Sequence, residues 1–243
     1  MRWGIFGDIH GNLEALEAVL EAMGEVDRYL VLGDVVGYGP NPNECCEVIK
    51  GLRNALVIRG NHDMAVVGML DTSWFNPYAK AAIEWTAKVL KVENYDWLRS
   101  LPERVEVEEF EAVHGAPYDP LEYILSTWEA REAFRVMRKD LCFVGHSHVA
   151  EFYVQRKGEE LCHHYPLTSG GEISLEEGRR YIVNPGGVGQ PRDGDPRAAF
   201  AIFDTEERKV KVVRVPYDFK VTQLKMQREG LPEVLWLRLA LGR

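Results

Sequence analysis

The sequence has little cysteine: Cys45, Cys46, Cys142 and Cys162 are its four thiols. None is paired in a C-x-x-C spacing, and the vicinal Cys45–Cys46 pair cannot easily close on itself. A zinc ribbon or a disulfide scaffold is therefore excluded, and reduced packing thiols are expected. No run approaches the roughly 20 apolar residues of a membrane span. The opening residues, MRWGIFGDIHGN, lack the apolar core of a secretion signal, so a cytoplasmic location is expected. Positive charge is also short. Lys plus Arg is 29 against 38 for Asp plus Glu, a formal charge of −9. No duplex nucleic acid and no membrane surface is expected as partner, because both need clustered cations. An anionic substrate stays possible, since a bound metal reverses the local field. Asn, Gln and Ser are scarce beside Glu, Arg, Leu and Ala, a usage found in heat-adapted proteins. No internal repeat, low-complexity tract or linker interrupts the chain, and residues 1–243 read as one domain.

What is present is an alternation of short apolar runs with amphipathic stretches. Strands are expected at Arg2–Phe6, Tyr29–Leu32 and Ala55–Arg59. Helices are expected from Leu13 to Met23, over Glu44–Leu52 and over Asn76–Leu90. Val105–Val107, Phe110–Val113 and Leu141–Val144 read as further strands, with a helix over Thr127–Arg138. After position 150 the pattern turns hairpin-like, with strands at Glu151–Gln155, Leu161–Tyr165, Tyr181–Val183, Ala199–Phe203 and Lys209–Val215. A tail from about 218 to 243 has a weak helical pattern. The two halves suggest one sheet fed by βαβ units and one built from hairpins, packed together and flanked by helices.

Five segments follow strand-like runs and place metal-competent side chains in turns. They are Gly7-Asp8-Ile9-His10-Gly11, Gly33-Asp34, Gly60-Asn61-His62-Asp63, His114-Gly115 and Gly145-His146-Ser147-His148. Ligands at strand ends collect on one sheet edge, where open α/β sheets carry their sites. Mixed carboxylate oxygens and imidazole nitrogens suit Mn, Fe, Zn or Ni. Asp8, His10, Asp34, Asn61, His114, His146 and His148 make seven candidates, which is more than one ion needs and about right for two ions sharing a carboxylate. Each piece alone has a plainer reading. Asp8 or Asn12 could cap a helix, Gly33-Asp34 and Gly60–Asp63 could be turns, and a lone His114 is more often structural.

Together and in this order the five blocks resemble the calcineurin-like metallophosphoesterase superfamily, whose pattern is D-x-H, G-D, G-N-H-[DE], H and G-H-x-H. The run Asn184-Pro185-Gly186-Gly187-Val188-Gly189-Gln190-Pro191-Arg192 resembles the N-P-G-S-x-x-x-P-R turn of its small bacterial and archaeal phosphodiesterase-like branch, with Gly187 in place of Ser. The resemblance implies a four-layer αββα sandwich of two mixed β-sheets. It implies two divalent ions, with Mn2+ favoured and Fe, Zn, Ni or Mg possible. Asp8, His10 and His148 would hold one ion, Asn61, His114 and His146 the other, and Asp34 would bridge them. The implied reaction is hydrolysis of a phosphodiester or nucleotide by a metal-bound hydroxide, with Asp34 and His62 as the catalytic pair and His62 as general acid. Candidate substrate contacts are Tyr38, Asn184 and Arg192. Phosphomonoester and dinucleoside-polyphosphate hydrolysis are alternatives, as is a metal-binding scaffold without turnover. The protein Ser/Thr phosphatases of the superfamily carry a second Asp where this chain has Gly37, and an Arg where it has Tyr38. Both departures argue against a protein phosphatase and leave the partner of His62 open.

Overall fold

The computed structural model describes residues Met1–Arg243. Its elements run in the order β1 (Arg2–Phe6), α1 (Leu13–Met23), β2 (Arg28–Val31), α2 (Pro42–Gly51), β3 (Ala55–Val57) and α3 (Asn61–Val66). Then come α4 (Pro77–Val89), α5 (Val92–Ser100), β4 (Arg104–Glu106), β5 (Glu111–Val113), α6 (Thr127–Val136) and β6 (Leu141–Phe143). The second half holds β7 (Ala150–Arg156), β8 (Cys162–Pro166), β9 (Gly171–Ser174), β10 (Arg179–Pro185), β11 (Ala198–Asp204) and β12 (Lys209–Val215), followed by α7 (Phe219–Arg228) and α8 (Glu233–Leu237).

Local chemistry explains the boundaries. The Asn12 side chain accepts from Ala15 N at 3.2 Å and starts α1, whose Leu16, Val19 and Met23 share a buried face. Asn76 accepts from Tyr78 N and Ala79 N, and Pro77 fills the first turn of α4.

Two six-stranded sheets result, ordered β3-β2-β1-β11-β12-β9 and β4-β5-β6-β10-β7-β8. In the first, β1, β2 and β3 are parallel, while β11 pairs antiparallel with β1. In the second, β5, β6 and β10 are parallel, and β7 pairs antiparallel with β10. The division into one βαβ sheet and one hairpin sheet is thus corrected. The chain passes between the sheets several times, with β9, β11 and β12 returning to the first, so each sheet joins parallel strands to antiparallel ones.

Apolar alternation along each strand builds the layers. Trp3 and Ile5 of β1 meet Phe110, Phe143, Val183 and Phe203 between the sheets. Phe6 instead joins Leu16, Val19, Val31 and Cys45 under the first helical layer. Val113, Cys142 and Ile182 pack with Phe134 under α6. The order helix, sheet, sheet, helix is the expected four-layer sandwich. Unlike the exposed Glu106 and Glu108, Glu111 turns inward. It is buried, and its carboxylate accepts from Arg138 N and Lys139 N, tying β5 to the end of α6. Helix α5 and strand β9 were not anticipated; both are short, and α5 follows α4 after only two intervening residues.

Candidate metal centre

The carboxyl ends of β1, β2, β3, β5 and β6 meet at one edge where the two sheets abut. The first sheet delivers Asp8 and His10 after β1, Asp34 after β2 and Asn61 and His62 after β3. The second delivers His114 after β5 and His146 and His148 after β6. Asp8, His10, Asp34 and His148 form one buried cluster, with ligand atoms within 4.8 Å of one another. Asp34, His114 and His146 form a second such cluster, so Asp34 belongs to both. Asn61 joins the second, its Oδ1 lying 3.1 Å from His114 Nε2. The structure therefore brings together all seven candidates read from the sequence.

The backbone is bent for this purpose. Asp8, His10, Asp34, His146 and His148 all have positive φ, between 51° and 67°. Side chains rarely adopt this conformation, which costs on the order of 1–3 kcal/mol each and concentrates at functional sites. It sets apart His146 and His148, which alternate in sequence but do not share a face. They lie in a loop and point to different clusters. Gly60–Asp63 is likewise not a turn but the start of α3. Asp63 accepts from Gly60 N at 3.0 Å and Val36 N at 3.1 Å, so it pins the Asp34 loop to α3 and faces away from the His62 ring.

Main-chain carbonyls orient three imidazoles. His114 Nδ1 donates to Leu32 O at 2.7 Å and His148 Nδ1 to Gln190 O at 2.6 Å, which turns both Nε2 atoms inward. His146 Nε2 donates to Leu121 O at 3.2 Å and so leaves Nδ1 as its free lone pair. These carbonyls carry no sequence signal, because every residue has one. Asp8 accepts from His146 N, and Asp34 Oδ1 accepts from His62 N at 2.8 Å.

The electrostatics show a site short of positive charge. Burial alone would raise Asp34, but the imidazoles of His114 and His62 outweigh it and hold the carboxyl well below its usual range. Burial would lower His114, yet Asp34 and Asp8 pull it up to about 9. Burial also pushes Asp8 up to about 7, His62 down to about 4 and His146 down to about 3. Asp34 Oδ2 is buried without a hydrogen-bond partner, 3.6 Å from His10 Nε2 and 3.4 Å from His114 Nε2. An unpartnered carboxylate oxygen between inward-facing imidazole nitrogens fits a shared divalent ion on each side.

Of the substrate candidates, Tyr38 stacks obliquely on His10 and His62, at centroid distances of 4.6 and 4.4 Å. Its hydroxyl accepts from Arg192 Nη2 at 3.3 Å, and Arg192 Nε is buried without a partner. Asn184 is buried. Its amide donates to Gly145 O and Ser147 Oγ, and its oxygen accepts from Gly186 N, so it braces the His146 loop.

Beside this centre lies a cleft of about 440 Å3 that Asn61, His62 and His146 border directly. Trp74 and Phe75 line it as well. Trp74 is 86% exposed. Tyr123, which no sequence pattern marked, stacks on His146 at 3.8 Å.

The calcineurin-like phosphoesterase superfamily domain matches over residues 1–208. A metallophosphoesterase from Sphaerobacter thermophilus superposes with a TM-score of 0.90 at 44% identity, covering 100% of this chain and 99% of that one. An uncharacterized protein of Methanocaldococcus jannaschii is 42% identical over 247 residues, 98% of this chain and 97% of its own. The symmetrical bis(5'-nucleosyl)-tetraphosphatase of Chromohalobacter salexigens matches in part, at 32% over 115 residues, 44% of this chain and 41% of that protein.

Proposed function

The chain belongs to the calcineurin-like phosphoesterase superfamily, and from that premise we propose that it hydrolyses a phosphodiester, with two divalent ions held by its buried His/Asp centre. The observation that carries this reading is the pair of clusters sharing Asp34. Asp8, His10 and His148 would hold one ion, Asn61, His114 and His146 the other, and Asp34 both. When bound, such a pair supplies a nucleophile from water and neutralises charge on phosphoryl oxygens. Mn2+ suits this donor set, as do Fe, Zn and Ni.

The protein's own groups do the rest. Asp34 holds His62 N and so fixes the start of α3 against the centre. His62 Nδ1 is sealed beside Gly37, which leaves Nε2 to give a proton to the leaving oxygen. Arg192, steadied by Tyr38 and Gln190, offers Nε to a phosphoryl oxygen. Gly37 and Tyr38 stand where a protein phosphatase would carry its paired Asp and its Arg, which favours a diester over a phosphoprotein. The partial match to a tetraphosphatase keeps dinucleoside polyphosphates as the second reading. A scaffold without turnover is disfavoured, because every candidate ligand and His62 are in place.

The test is a rate comparison on protein stripped of metal and reloaded with Mn2+, using bis(p-nitrophenyl) phosphate and p-nitrophenyl phosphate. Faster diester turnover supports the reading. Faster monoester turnover makes the protein a phosphomonoesterase. Absence of metal-stimulated hydrolysis of either removes the phosphodiesterase assignment.

A further inference from the structure

The cleft beside the centre has a chemistry of its own. Two segments wall it. One is the stretch before α4 that carries Trp74 and Phe75; the other is the stretch before α6 that carries Asp119, Leu121, Glu122 and Tyr123. Half of the residues that line it are apolar, and neither lysine nor arginine is among them. Its only formal charges are the carboxylates of Asp119 and Glu122. A chain of further phosphates that reached Asp119 and Glu122 would meet like charge, the cation in contact with the lining being Arg192 at the Tyr38 hydroxyl. The aromatic side chains, by contrast, are placed for a flat group. The Trp74 indole is 86% exposed and stacks on no other ring. One face of Tyr123 is taken by His146, at an interplanar angle of 14°, and the residue is 39% exposed. The Phe75 ring meets His62 edge-on at 5.0 Å, so the apolar wall reaches the proposed proton donor.

We propose that Trp74 and Tyr123 are specificity-determining residues that select phosphate esters whose leaving group is a planar ring, neutral or cationic. This rests on the phosphoesterase reading for the identity of the reaction, but not for the binding preference. A ring in the cleft would be the leaving group, because His62, the proposed proton donor, borders the cleft. Ring stacking of this kind favours an aryl over an alkyl ligand by roughly three- to ten-fold. An exposed indole loses fluorescence when a ring covers it.

The experiment uses the full chain loaded with Mn2+ and two non-hydrolysable probes, phenylphosphonate and methylphosphonate, titrated by calorimetry and by tryptophan fluorescence. The expected result is a three- to ten-fold tighter binding of phenylphosphonate, with quenching that is lost in Trp74→Phe. The aryl-to-alkyl affinity ratio should fall towards one in Trp74→Ala and in Tyr123→Ala. Equal affinities in the unaltered protein overturn the proposal, as does an unchanged ratio in both variants. Trp74→Phe retains a ring and should keep most of the ratio, which separates stacking from a folding defect. In parallel, kcat/KM for methyl and phenyl esters of phosphate is measured. Tighter phenylphosphonate binding with no ester turnover would sink the phosphoesterase reading while leaving the cleft's preference standing.

Discussion

Gly37 leaves no room for a side chain against His62. A Cβ at position 37 would stand 2.8 Å from His62 Nδ1 and 2.6 Å from His10 Nδ1, and the backbone there has a φ of 145°. The absent acidic partner of His62 is therefore excluded by the backbone as well as by the sequence. Gly37→Ala is expected to destabilise the protein by about 1–3 kcal/mol, and Gly37→Asp by at least as much. Urea melts with and without Mn2+ check this. A Gly37→Asp protein with unaltered stability and faster turnover would show that the loop can be repacked.

His62→Gln should slow esters with poor leaving groups far more than nitrophenyl esters, because a good leaving group needs no proton. About 10²- to 10⁴-fold is expected for an alkyl leaving group. A plot of log kcat against leaving-group pKa reads this directly. An equal loss across the series would remove His62 from proton transfer.

Asp34→Asn should reduce the metal content from two ions per chain to one or none, since Asp34 serves both clusters. Elemental analysis of protein dialysed against Mn2+ measures it. Two ions retained would show that Asp34 is not shared.

Stripping metal should lower thermal stability. Binding at a hundred times the dissociation constant contributes about 2.7 kcal/mol per site. At this chain length that is a Tm shift of about 5–10 °C per ion. Calorimetry with graded Mn2+ should show Tm rising with concentration, and a flat response would mean that no ion binds the native state preferentially.

The four thiols should be silent in the native protein. Burial pushes Cys45 and Cys142 well up and Cys162 up to about 11. A disulfide reagent at neutral pH should titrate none of them within minutes and all four after unfolding.

Much of this was readable beforehand. Strands β1, β2 and β3 and helix α1 stand out because a single period holds over their whole length. The seven ligand candidates stand out because each lies just past such a strand. What was hidden is non-local. The exchange of strands between sheets depends on β11 pairing with β1 across almost the whole chain, which no local period encodes. The left-handed turns at His10 and His148 defeat reasoning from alternation. Asn184 reads as a loop amide available to substrate, and only its three hydrogen bonds reveal it as a brace. Tyr123 sits in a stretch without pattern, and its place against His146 is a tertiary fact.

Both metal clusters draw side chains from both sheets. Within a sheet, strands are locked by hydrogen-bond ladders. Between the sheets side-chain packing dominates, such as Trp3 edge-on to Phe110 at 4.9 Å, with a few hydrogen bonds such as His114 Nδ1 to Leu32 O. Sliding of one layer over the other would break no ladder hydrogen bond. It would alter the 3.4 Å between Asp34 and His114. Two ions at this edge would act as rivets through a sliding joint, and buried aromatics far from the chemistry become its shims.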